Sequence, residues 1–161
     1  MDAKGHVHMV AIDAKAITKR SASAVAFVSC STDALLAIAT AKKGDVLATV
    51  RIAAIQAAKQ TSSLIPLCHP IPLTHVAIDL DIEANGVRIT ARAESTDRTG
   101  VEMEALTAAS VGALTFYDML KAVDRSMTFE VGLVEKSGGQ SGDFSRSPKR
   151  ARARTKLSSR K

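Results

Sequence analysis

The stretch Val76-Ala-Ile-Asp-Leu-Asp-Ile-Glu-Ala-Asn-Gly-Val-Arg-Ile-Thr-Ala-Arg-Ala-Glu94 decides the fold class. Its first half alternates Val76, Ile78, Leu80 and Ile82 with Ala77, Asp79, Asp81 and Glu83. Its second half alternates Val87, Ile89, Ala91 and Ala93 with Arg88, Thr90, Arg92 and Glu94. A period of two sends successive side chains to opposite faces, so each half is a strand with one apolar and one wet face. Between them lies Asn85-Gly86, a dipeptide that supplies positive φ to a tight hairpin turn. An antiparallel hairpin with one solvated face follows.

Outward from the hairpin, Ala24–Cys30 and Met127–Lys136 read as two further strands. Helices fill the gaps. Ser31 or Thr32 can cap one through Ala34–Ala41, and a second runs from about Asp45 to Gln60 with Val46, Ile52 and Ile55 as its apolar stripe. The longest spans Glu104–Ala122, with Leu106, Ala109, Ala113, Leu114, Tyr117 and Leu120 on one side. Its Ala108, Ala109, Gly112 and Ala113 predict close packing against a sheet or another helix. Helices with an antiparallel sheet in 161 residues predict an α+β sandwich.

The formal charge of +6 belongs to one end of the chain. Eight of the 22 basic residues lie between Ser145 and Lys161, where there is no acid, which leaves 14 basic against 16 acidic residues in 1–144. One domain over 1–144 and a basic, disordered tail over 145–161 is the expected division. Aromatic residues make up 3% with no Trp, which argues against single-strand nucleic-acid binding by stacking. Two cysteines make no disulfide scaffold; the first residues lack the basic start and apolar run expected of a signal peptide, and Thr61–Ile78, the longest stretch free of Asp, Glu, Lys and Arg, holds three prolines and is not expected to span a membrane. A soluble, cytoplasmic protein is expected.

Several constellations can carry chemistry. Leu64-Ile-Pro-Leu-Cys-His-Pro-Ile-Pro72 holds three of the four prolines, and Pro70 restricts His69 to an extended conformation. That segment is either a binding wall or a structural connection. If extended, Glu102-Met103-Glu104 would aim two carboxylates at one site; the plainer reading is acidic decoration of a helix N-terminus. Asp118 and Lys121, three apart, share a helix face as a surface ion pair or as an acid–base pair. Glu104 and Asp118 are 14 residues apart, roughly 21 Å along a helix. They cannot easily share a site within one subunit, so if both function the site lies between two chains. Lys42-Lys43-Gly44-Asp45 and Ser137-Gly-Gly-Gln-Ser-Gly142 can both present donors to phosphates, without Walker spacing. His6, His8, Cys68, His69 and His75 match no zinc pattern, so no metal site is expected.

Taken in order, these pieces resemble the cyclic pyranopterin monophosphate synthase family of molybdenum cofactor biosynthesis. The likeness rests on Lys43-Gly-Asp-Val, Leu64-Ile-Pro-Leu-Cys-His-Pro70, Thr99-Gly-Val-Glu-Met-Glu-Ala-Leu-Thr-Ala-Ala-Ser110, Tyr117-Asp-Met-Leu-Lys-Ala-Val123 and Lys136-Ser-Gly-Gly-Gln-Ser-Gly-Asp-Phe144. It runs from about His8 to Phe144. The resemblance implies a ferredoxin-like α+β fold and a hexamer of three dimers with active sites at dimer interfaces. It also implies conversion of a cyclised dihydro-GTP, handed on by a preceding radical enzyme, to a pyranopterin with a cyclic phosphate plus diphosphate.

By the same resemblance Asp118 and Lys121 are the catalytic pair and Lys43 is a further essential lysine. Leu67, Cys68, His69, Met103 and Glu104 contact substrate with Glu102 alongside; His69, Glu102 and Glu104 are also candidate acid–base groups. Lys136 and Arg20 lie near the substrate's charged part. Opening a purine and closing a pyran demand repeated proton transfers, which suits Asp, Glu, Lys and His. No cofactor is implied beyond magnesium that can accompany a triphosphate. The chain departs from the family at Ala11, where Asp is frequent, and at Gln140, where a second lysine is common. The rival readings are a nucleic-acid-binding module acting through the tail, whose polyanion contacts would be nonspecific, and a non-catalytic scaffold.

Overall fold

Small side chains dictate how the layers meet. In a computed structural model, which describes residues 5–146, strand β1 (Thr18–Ser29) turns Ala22, Ala24, Ala26 and Val28 into the core, all essentially buried. It lies between β3 (Gly86–Asp97) and β4 (Thr128–Ser137); β2 (Leu73–Glu83) flanks β3 and the short β5 (Phe144–Ser145) flanks β4. The pairings are antiparallel. Helices α2 (Val46–Lys59) and α4 (Glu102–Leu120) pack on each other and on one face of the sheet. Strand–helix–strand, strand–helix–strand with order β2-β3-β1-β4 is the ferredoxin-like split βαβ arrangement. The expected α+β class and all four expected strands are present; β5 was not anticipated.

The hairpin forms as expected, but its turn works differently. Glu83 pairs with Gly86, so Ala84 and Asn85 make the turn. No non-glycine residue there has positive φ, and neither does Gly86. Gly86 is instead a place of close approach. A Cβ on it would collide with the Val28 carbonyl oxygen and come within 2.9 Å of the Phe27 ring.

Both long helices sit rotated from the stripes read in the sequence. On α2, Val46, Val50, Ala54, Ala57 and Ala58 are buried, whereas Ile52 is 68% exposed. On α4, Ala105, Ala108, Ala109, Gly112, Ala113 and Phe116 face inward and Leu114 is 54% exposed. Size misled the reading: alanine and glycine occupy much of the contact because they let backbones approach, and Ile52 and Leu114 lie outside it. At Gly112 a Cβ would already meet the Ile89 Cγ2 at 3.3 Å. The first helix is also shorter than expected. Ser31 Oγ accepts from Ala34 N at 3.2 Å to cap α1 (Thr32–Ala37), which then tightens into a 3-10 turn at Ile38–Thr40. Helix α3 (Thr61–Leu64) leads into the proline-rich connection.

Asp124 fastens the far end of the molecule. Its carboxylate accepts from Ser31 N at 2.8 Å, Ser126 N at 2.8 Å and Ser126 Oγ at 2.6 Å. Those donors, Ser126 Oγ foremost, stabilise the charged form and lower its pKa to about 2. A carboxylate depressed on folding adds stability above its unfolded pKa of about 3.9 and loses it as pH falls through the folded value. Asp124→Asn is therefore expected to lower the melting temperature by a few degrees at pH 7. The gap from wild type should close between about pH 4 and pH 2. A pH-independent gap in thermal melts would refute this account.

Among the described residues no helix is long and apolar enough to cross a membrane. Of the tail expected over 145–161, Ser145 lies in β5 and Arg146 N donates to the Val134 carbonyl at 2.7 Å, so the disorder does not begin at 145; residues 147–161 lie outside the described residues.

Candidate active site

Helix α4 carries polar clusters at both ends. At its C-terminal end Asp118 bridges two ammonium groups: Lys43 Nζ lies 2.6 Å from Oδ2 and Lys121 Nζ 2.7 Å from Oδ1. Lys43 also donates to the Asp118 carbonyl at 2.7 Å. Lys43 reaches across because Gly44, at φ +105°, turns the chain sharply before Asp45 caps α2 by accepting from Ala48 N at 2.9 Å. The two lysines, Lys121 first, hold the Asp118 carboxyl down at about 2. All three side chains are about half exposed, so the cluster is open to a ligand. Asp118 is charged at any pH above about 4 and orients both cations.

At the N-terminal end Glu102 and Glu104 both lie in the first helical turn, so the extended arrangement that would aim them together does not occur. Two residues along a helix rotate by roughly 200°, and the carboxylates part company. Glu102 folds back over Gly100, where any side chain would displace it, and pairs with Lys136 at 3.2 Å. Glu104 turns inward and is only 2% exposed. Its Oε1 accepts from Cys68 Sγ at 3.9 Å, and among the described residues its Oε2 has no hydrogen-bond partner. Burial raises the Glu104 pKa, and also raises that of the Cys68 thiol, which the Glu104 charge pushes further.

The proline-rich connection forms one wall beside this helix end. Buried Ser95 donates to the Pro72 carbonyl at 2.8 Å and fixes where the connection ends. Leu67, Cys68, His69 and Ile71 then face Glu102 and Met103 across a cleft of about 370 Å³. Across Glu102 a second cleft of about 290 Å³ opens, lined by Lys15, Arg20, Arg98, Lys136 and the loop residues Gly138 and Gln140. Both clefts share Thr99, Gly100 and Glu102.

Lys136 reaches this cleft through a bulge. The β1–β4 register pairs Ala24 with Leu133 but Ser23 with Glu135, which leaves Val134 extra. Strict alternation from Leu133 would aim Lys136 at the open sheet face; the extra residue returns it to the side facing α4. The turn beyond it needs glycine: Gly138 and Gly139 have φ of +84° and +92°, and Cβ atoms there would strike the Lys19 carbonyl and the Arg20 guanidinium.

The predicted residues thus fall into two groups. Lys43, Asp118 and Lys121 gather at one end of α4; Leu67, Cys68, His69, Glu102, Met103, Glu104, Lys136 and Arg20 gather at the other. Two cleft residues, Lys15 and Arg98, escaped the sequence reading. Arg98 stands directly before the Thr99-Gly motif, and that adjacency was its only signal. Among the described residues no three His, Cys, Asp or Glu side chains gather where a metal ion could sit. Compared with known proteins, the chain matches the model of the MoaC family over residues 9–139.

Proposed function

Because this chain belongs to the MoaC family, the family of cyclic pyranopterin monophosphate synthase, we propose that it catalyses that synthase reaction. Membership gives it a place in molybdenum cofactor biosynthesis as an enzyme. The proposed substrate is (8S)-3',8-cyclo-7,8-dihydroguanosine 5'-triphosphate, and the products are cyclic pyranopterin monophosphate and diphosphate. The observation that carries this reading is the Lys43–Asp118–Lys121 cluster, an exposed carboxylate clamped by two lysines. Exposed ion pairs of this kind add little to stability, and ammonium groups positioned by a carboxylate suit proton transfer.

In this reading Lys121 and Lys43 exchange protons with the purine-derived ring while Asp118 fixes their positions. Glu104, favoured in its neutral form by burial, is suited to donate a proton. Arg20 and Lys136 stabilise charge on the departing diphosphate. The two clusters sit at opposite ends of a 19-residue helix, so each active site draws one cluster from each of two chains. The assembly is a hexamer of three dimers.

Supplying the preceding radical enzyme's product to the full chain tests the activity. Pterin product and diphosphate are expected together, and their absence refutes the reading. Subunit mixing tests the shared site. Lys121→Ala and His69→Ala chains, each inactive alone, should recover about a quarter of wild-type turnover after refolding as a mixture. No recovery would place both clusters' functions within one chain.

Glu104 gives a further expectation. A buried acceptor without a partner costs about 1–3 kcal/mol, so Glu104→Met should raise thermal stability while abolishing turnover. Its raised pKa has the opposite sign from that of Asp124. The wild-type contribution is present below the usual carboxylate range and is lost as pH rises through the folded value. The gain in the variant should therefore be larger at pH 7 than at pH 4; an equal gain contradicts it.

A further inference from the structure

The two faces of the sheet are covered unequally. Helices α2 and α4 pack on the side lined by Ala22, Ala24, Ala26 and Val28 and leave the other side open. On the open side Lys19 and Arg92 are both taken up by Glu94, and Arg88 by Glu83. Asp79 and Asp81 of β2, Glu130 and Glu135 of β4, and Asp143 have no ammonium or guanidinium partner among the described residues. Glu135 accepts from Ser23 Oγ at 3.1 Å and Asp143 from Gly138 N at 3.1 Å, both neutral donors. With Phe144 these two acids line a cleft of about 450 Å³ at the β5 edge.

The described chain ends on this face. A Cβ on Gly132 would stand 2.8 Å from Arg146 Nη1, so the Arg146 guanidinium rests on β4 where a side chain is missing. Gly132 pairs with Val25 and Glu130 with Phe27, which places both β4 residues on the open side. Residues 147–161 follow, with seven Lys and Arg and no acid. Pro148 has no N–H to continue the ladder along β4, so contact with the sheet is left to side chains. Fully extended, this segment spans roughly 50 Å, whereas β4 and β2 are only about 14 Å apart across the sheet. It starts at the acidic face and is long enough to reach all of it.

We propose that the open sheet face is the docking surface for the chain's own basic C-terminal segment, residues 147–161, led onto it by Arg146 over Gly132. An exposed ion pair is weak singly, but tethering makes each further contact intramolecular, so several act together. Docking sets the acidic face in competition with outside polyanions for the same Lys and Arg. The face therefore suppresses the nonspecific nucleic-acid binding that a free basic segment would give. Glu130 and Asp143 lie outside both the lysine cluster and the two clefts at Glu102, so the device is separate from the proposed reaction.

Carbodiimide cross-linking of the full chain, read by peptide mass spectrometry, tests the contact. Lys149 or Lys156 should couple to Glu130, Glu135 or Asp143, with a yield that falls about fivefold between about 50 mM and 0.5 M salt. Isotope-labelled chains mixed with unlabelled ones should give cross-links within one isotope; mixed pairs would place the segment on a neighbouring chain and overturn the proposal. Gly132→Ala should keep or raise thermal stability, because a mid-strand glycine is unfavourable, yet lower the yield about twofold or more by displacing Arg146. A fluorescent single-stranded RNA of mixed sequence tests the competition. Glu130→Gln should bind it about threefold more tightly than Asp33→Asn, which removes the same charge from α1. Equal gains in the two variants would reduce the effect to net charge and overturn the inference, as would low-salt coupling of Lys149 and Lys156 to acids elsewhere or to none.

Discussion

Lys121→Ala is expected to cut formation of the pterin product by about 10³-fold with little change in thermal stability. Lys121 is about half exposed, so the fold should tolerate the truncation. What disappears is one of two ammonium groups held by a single carboxylate, 2.7 Å from Asp118 Oδ1. Asp118→Asn should lose a comparable factor by a different route. An amide keeps the shape but not the charge, and two ammonium groups 2.6 Å and 2.7 Å from one side chain then repel each other. Because the Asp118 pKa lies at about 2, its own titration should leave no mark on the wild-type pH–rate profile above pH 4. Turnover within tenfold of wild type for either variant would remove the cluster from the mechanism.

Gly86→Ala is the substitution expected to damage the fold most for its size. The added methyl meets a backbone carbonyl, that of Val28, rather than the end of a flexible side chain, so β1 and β3 must separate locally. A loss of about 3 kcal/mol or more is expected, or roughly 6–12 °C in melting temperature. The neighbouring Asn85→Ala supplies the control. Asn85 is exposed and has no positive φ, so its replacement should cost within about 0.5 kcal/mol. A positive-φ turn at Asn85-Gly86 would instead make both changes costly to a similar extent. Equal losses in thermal melts would restore that turn and contradict the close approach.

The contrast at Gly86 shows where the sequence was informative. A hairpin was legible from strict alternation on either side of a turn dipeptide, because period two has few other physical causes. The reason for the glycine was not legible, since Val28 is 58 residues away in the chain and approaches only in the sheet. The helices repeat the lesson. Ala108, Ala109, Gly112 and Ala113 announced close packing, yet Leu114 and Ile52 were placed in the stripes and lie outside them. Hydrophobicity marks what can be buried; backbone proximity decides which residues fit.

The candidate site divides in the same way. Motif order alone marked Lys43, Asp118, Lys121, His69 and the Glu102–Glu104 step, and helix rise alone argued that the two ends of α4 could not meet in one subunit. Residue type and covalent spacing suffice for both, because a helix converts residue number into distance. Only the tertiary structure decided that Glu102 and Glu104 diverge, that one extra residue in β4 swings Lys136 toward α4, and that Lys15 and Arg98 line one cleft with Arg20. Each depends on register, a single turn of helix or a contact between segments far apart in the chain, and none of these leaves a periodic trace in the amino-acid order.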